Sequence, residues 1–139
     1  MDLSLSDEQK QLKDAAERFV RDKYTFENRR KIAATERGWL PENWAQFAEL
    51  GWLGMSFSEE DGGYGGGPIE TMIVMEEFGK GLVLEPFLPT VVLGGGLIAS
   101  AGSKAQKEAL LAPMIEGKKQ FALAWLERQS RYNLADVSL

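Results

Sequence analysis

The sequence contains no cysteine and no histidine. Without cysteine there is no disulfide, no thiolate metal ligand and no thiol nucleophile. Without histidine the commonest general base and the commonest metal ligand are missing. Basic residues are the minority, 16 Lys and Arg against 21 Asp and Glu, for a net charge of −5. Phosphate binding favours basic stripes, so this balance argues against a nucleic-acid partner. No run approaches the roughly 20 apolar residues of a membrane span. The opening MDLSLSDEQK lacks the basic and apolar regions of a signal peptide. A cytoplasmic location is the default expectation.

What is present is ordinary for a water-soluble globular chain: 139 residues, 44% hydrophobic and 27% charged. That length suits one domain with a real core. Ser6 and Gln9 have the spacing of a capping box, and Leu12, Ala16, Phe19 and Val20 follow at helical spacing. A first helix is expected from about Asp7 into the twenties. Tyr24, Thr25 and Phe26 mark a break. Arg29, Arg30 and Lys31 read as a solvated helical face. Pro41 opens a second helix whose buried stripe is Trp44, Phe47 and Ala48, and Gly51 is placed to end it.

A glycine-rich loop follows, with Gly62, Gly63, Gly65, Gly66 and Gly67. It fails the GxGxxG pattern, because the sixth position from Gly63 is Pro68. It lacks a Gly-Lys-Ser/Thr ending as well, so it reads as a turn between helices rather than a phosphate cradle. Glu59, Glu60 and Asp61 read as solvated turn residues. Pro68 starts the next helix, with Met72, Ile73, Val74 and Met75 apolar on most sides.

Pro89 can open a fourth helix, interrupted by Gly94, Gly95 and Gly96. Three glycines cost a helix roughly 2–3 kcal/mol against alanine, so something offsets them. Close packing of another helix, a narrow apolar channel and a strand followed by a glycine turn are the three possibilities; the residues alone favour packing. Ser103 and Gln106 form a second capping box. Pro113 is expected to break that fifth helix, with a stop at Gly117. Phe121, Leu123 and Trp125 then alternate with Gln120, Ala122 and Ala124, the period of a strand. A lone strand cannot satisfy its own backbone. The chain therefore reads as the opening part of a larger protein. The expected fold is all-α, an orthogonal bundle of about five helices over residues 1–117. Residues 118–139 then begin a β domain with its first strand.

Three stretches carry a family likeness: LGWLGMSFSEEDGGYGG from Leu50, EEFGK from Glu76, and GSKAQKEALLAPMIEGKKQFALA from Gly102. In order and spacing they resemble the N-terminal helical domain of acyl-CoA dehydrogenases. The later ERQSRYNLADV resembles a bacterial branch typified by small subunits of pimeloyl-CoA-type dehydrogenases. The resemblance implies an oxidoreductase that removes hydrogens from the α and β carbons of an acyl-CoA thioester. FAD would serve as cofactor and electron-transfer flavoprotein as electron acceptor, in a homo- or hetero-oligomer. It implies that the helix containing the three glycines borders the acyl pocket, with Leu88, Val92, Gly95 and Gly96 as wall residues. It also implies flavin contacts at Phe121, Leu123 and Ala124.

The family motif there reads aromatic-x-hydrophobic-Thr-Glu-Pro. Ala124 stands at its threonine and Trp125 at its glutamate, so the hydroxyl that would bond the flavin is absent. The family's base, a glutamate, lies in a later domain; no residue here is expected to be catalytic and none to bind metal. This chain alone is expected to be inactive. Two other readings stay open: a non-catalytic subunit of a heteromeric dehydrogenase, and a flavin oxidase or monooxygenase of the same fold.

Overall fold

The computed structural model describes residues 4–138. Helix α1 spans Asp7–Lys23, α2 Phe26–Ala33, α3 Pro41–Glu49, α4 Pro68–Gly81, α5 Gly96–Ala101 and α6 Lys104–Ile115. A 3₁₀ turn, Glu59–Asp61, lies in the glycine-rich loop, and a π-helical stretch, Leu88–Gly95, runs directly into α5. The fold is all-α, and no strand is present among the described residues.

The helix starts follow local chemistry. Ser6 Oγ accepts from Gln9 N at 3.2 Å while Gln9 Oε1 accepts from Ser6 N at 3.0 Å. The same reciprocal pair recurs at Ser103 and Gln106. Each box satisfies two amides that the helix cannot. Prolines occupy the first turns of α3 and α4. Gly51 and Gly117 both adopt φ 75°, the left-handed conformation that glycine permits after a helix.

Pro113 lies inside α6, which continues to Ile115 instead of breaking. Proline removes only its own N–H, and the carbonyl it strands is that of Ala109. Lys119 Nζ donates to that carbonyl at 3.4 Å.

Helix α1 packs along α4, and the core forms where they meet α3. Phe47, fully buried, is its centre. Its ring stacks on Phe78 at 4.8 Å and meets Phe19 at 5.1 Å and Trp52 at 5.3 Å. Phe78 in turn takes Phe87 edge-on at 5.4 Å. Such pairs add about 0.5–1.5 kcal/mol each beyond area burial.

The expected strand over residues 120–126 has no ladder. With no strand among the described residues to pair with, its backbone finds a side chain instead: Phe121 N donates to Thr90 Oγ1 at 3.2 Å, and that hydroxyl donates to Phe121 O at 3.1 Å. The segment therefore lies against the π-helix without joining a sheet.

Candidate functional site

The stretch Leu88–Ala101 is apolar nearly throughout, and its two faces differ. Thr90, Val91, Gly94 and Gly95 point inward and are buried. Leu88, Leu93 and Leu97 are 46%, 38% and 50% exposed, at the wider spacing of a π-helix. The three glycines have separate explanations. A Cβ on Gly94 would meet Phe121 Cβ at 2.5 Å, so its absence admits the 120–126 segment. A Cβ on Gly95 would meet Phe57 Cζ at 2.7 Å and Met114 Sδ at 2.9 Å, so Gly95 is a packing position. A Cβ on Gly96 would meet nothing within 4 Å.

The four proposed wall residues thus do not share one cavity. Leu88, Val92 and Gly96 are at least partly accessible, whereas Gly95 is inside the core. Leu88 joins Met75, Phe78, Gly79, Leu82 and Pro89 around an apolar groove of about 500 Å³ between the end of α4 and the π-helix.

The same groove includes Glu85, which is only 5% exposed. Its carboxylate accepts from Asn43 Nδ2 at 3.0 Å, from Leu40 N at 3.3 Å and from the Tyr24 hydroxyl at a very short distance. Tyr24 is buried as well. Burial pushes its phenol well above the ordinary range, and the hydrogen bond and charge of Glu85 add to this; the Leu84 N–H opposes. The phenol therefore stays a donor at any ordinary pH. Glu77, the other buried carboxylate, accepts from Lys80 Nζ at 2.7 Å. Both buried carboxylates are engaged, so neither is arranged as a free base facing the groove. Among the described residues no group of acidic side chains is placed to hold a metal.

Of the residues expected to touch a flavin, Phe121 has both backbone groups taken by Thr90, Leu123 is half-buried and Ala124 is exposed. Apolar contact fits Leu123 and Ala124, but these side chains offer no hydrogen bond to a flavin.

The sequence reading missed Glu85, although a lone carboxylate inside LVLEPFLP was a usable signal. It also missed Arg29, whose Nε donates to Leu82 O at 2.8 Å instead of lying on a free helical face. Asp61, read as solvated, is a half-buried partner of Lys107 at 3.1 Å.

The described residues thus form a helical domain with one closed aromatic core and one open apolar face. The sequence model described as Acyl-CoA dehydrogenase, N-terminal domain, matches residues 6–118, and the chain belongs to the acyl-CoA dehydrogenase family.

Among its relatives is the acryloyl-CoA reductase (NADH) of Anaerotignum propionicum, 32% identical over 128 residues, covering 91% of this chain and 32% of that protein. Butyryl-CoA dehydrogenase from Megasphaera elsdenii matches in structure with a TM-score of 0.78 and 28% identity, over 97% of this chain and 36% of that one. A chain of the ChsE4-ChsE5 complex from Mycobacterium tuberculosis matches with a TM-score of 0.79 and 26% identity, over 86% of this chain and 33% of that one. The chain spans about a third of the length of these relatives.

Proposed function

We propose that this chain is the opening third of an FAD-dependent acyl-CoA dehydrogenase, contributing acyl-pocket wall and subunit contacts. Residues 1–117 are its helical domain and residues 118–139 the start of a β domain. The observation that carries this reading is the row of outward apolar side chains Leu88, Leu93 and Leu97, the first of them lining the groove. A side chain that is apolar and half-exposed in this piece is suited to meet an acyl chain or a covering domain.

A bound FAD would supply hydride acceptance for the α,β-dehydrogenation. This chain's own residues exclude water along one wall and place Leu123 and Ala124 as apolar neighbours of the flavin. Electron-transfer flavoprotein is the proposed electron acceptor and the cytoplasm the proposed compartment.

A second reading is favoured by one specific observation. Ala124 carries no hydroxyl where the family motif has one. That suits a partner subunit of a heteromeric dehydrogenase whose chemistry is done mainly by the other chain.

The test is expression of the protein with the rest of its coding sequence, alone and with any adjacent dehydrogenase-like gene product. We expect FAD to co-purify and dye reduction to depend on acyl-CoA, while the 139-residue chain by itself is colourless and inactive. Activity only in the pair selects the second reading. A yellow 139-residue chain, or a complete protein inert toward every acyl-CoA in both states, overturns the proposal.

A further inference from the structure

The segment between α4 and the π-helix is irregular, yet it is tied down at successive residues. Leu82 adopts a left-handed φ of 51°, costly for a branched side chain, and its carbonyl accepts from Arg29 of α2. Leu84 N donates to the Tyr24 hydroxyl at 3.3 Å. The Glu85 carboxylate gathers donors from the end of α1, the start of α3 and the loop before it. All three donors are neutral. A buried carboxylate without a cation is an expensive arrangement, tolerated only when its oxygens are well bonded. An apolar residue at this site would fill the space with less desolvation. What the carboxylate supplies is direction: it fixes where residues 82–89 run relative to α1 and α3.

We propose that Glu85 is a positioning residue for the groove, its bonds to Tyr24, Asn43 and Leu40 setting the course of residues 82–89 and so the shape of the apolar surface that Leu82, Leu88 and Pro89 present. Packing anchors the segment at Phe87, but Leu82 and Leu88 are 62% and 46% exposed, so packing of their own side chains does not fix them. The bonds act on a ligand through the course of the segment. The consequence for acyl chains rests on the proposed function above.

Amide hydrogen exchange tests the positioning role directly. The readouts are the Leu40 and Leu84 amides, which donate into the network. In Glu85→Gln and in Tyr24→Phe both should exchange about tenfold faster or more, while Leu111 and Met114 of α6 hold their rates. Unchanged rates at Leu40 and Leu84, or equal acceleration in α6, overturn the proposal. Tyr24→Phe removes the acceptor of the Leu84 amide itself, so in that variant the Leu40 amide, which donates to Glu85, decides the matter if Glu85→Gln does not fold.

The second readout is the ratio of affinities for butyryl-CoA and lauroyl-CoA in the complete protein. Tyr24→Phe should shift that ratio by about threefold or more, the scale of a few methylenes of pocket length. If both ligands bind and the ratio stands while exchange quickens, the network does not shape the groove. If the parent protein binds neither ligand, the acyl reading fails and the exchange rates still decide the role of Glu85.

Discussion

The two sides of Phe87 are built differently. On one side, Phe19, Phe47, Trp52, Phe78 and Phe87 interlock ring against ring, and every one is at least 95% buried within this chain. On the other side, Leu88, Leu93 and Leu97 of the next helical stretch stand 38–50% exposed. Both are apolar, one aromatic and the other built of Leu, Val and Gly. What differs is whether each apolar face finds its partner within the chain. The aromatic side reports on folding; the open side reports on what the chain is made to meet.

The largest effect should come from breaking the closed side. Phe47→Ala removes the ring shared by the whole aromatic cluster and leaves a cavity that α1, α3 and α4 cannot jointly close. A loss of about 3–5 kcal/mol is expected in urea unfolding, which would unfold a marginal domain outright. A loss under about 1 kcal/mol would show that the cluster collapses around the void and that the contrast between the two sides is overstated.

Adjacent glycines place the boundary at a single peptide. Gly95→Leu should drive its side chain into Phe57 and Met114 and lower stability by about 1–3 kcal/mol. Gly96→Leu meets open space and replaces a poor helix former, so stability should hold or rise by up to about 1 kcal/mol. Thermal melts of the two variants give the answer. Under the proposed function, Gly96→Leu in the complete protein should depress turnover of long acyl-CoAs more than short ones. A destabilised Gly96→Leu would put that position inside the core.

Helix boundaries were legible in the sequence because they are set locally. Ser6 with Gln9, Ser103 with Gln106, and the stops at Gly51 and Gly117 each need only neighbours within a turn. The failures are the long-range ones. Pro113 stays helical because Lys119, from beyond the helix end, caps the stranded carbonyl. Alternation at residues 120–126 has the period of a strand, yet no strand forms there, because a ladder needs a partner that spacing cannot supply. The fate of Gly94 and Gly95 depends on Phe121, Phe57 and Met114, residues distant in sequence. At the candidate site, Glu85 could not be placed from the sequence, because its role required knowing that Tyr24 and Asn43 meet it.

A smaller, pH-dependent effect lies at the rim of the closed side. Glu70 joins two helix starts: Oε1 accepts from Gln9 Nε2 at 2.8 Å and Oε2 from Gly67 N at 2.7 Å. The Gln9 bond first, then the Gly67 amide, holds its carboxyl below the ordinary 4.5. A depressed folded value means the ionised form is favoured by folding. The contribution is therefore complete above about pH 4.5 and lost as pH falls through the lowered value. Glu70→Gln should cost about 1 kcal/mol at neutral pH and flatten the acid limb of the stability curve. An acid limb unchanged by the substitution would remove Glu70 from the account.

The smallest effect should come from the open side. Leu97 is half-exposed and α5 is short, so Leu97→Ser removes little burial within this chain. Its folding free energy should change by no more than about 0.5 kcal/mol, the range for surface positions. The same substitution should matter more in the complete protein, where an apolar face of this kind is suited to be covered. Comparing the two melting shifts isolates the partner's share of the contact. A shift in the complete protein several times that in the 139-residue chain identifies Leu97 as an interface position. Equal small shifts in both mean that the face stays open to solvent, and the difference between the two sides of Phe87 would then mark only the edge of the core.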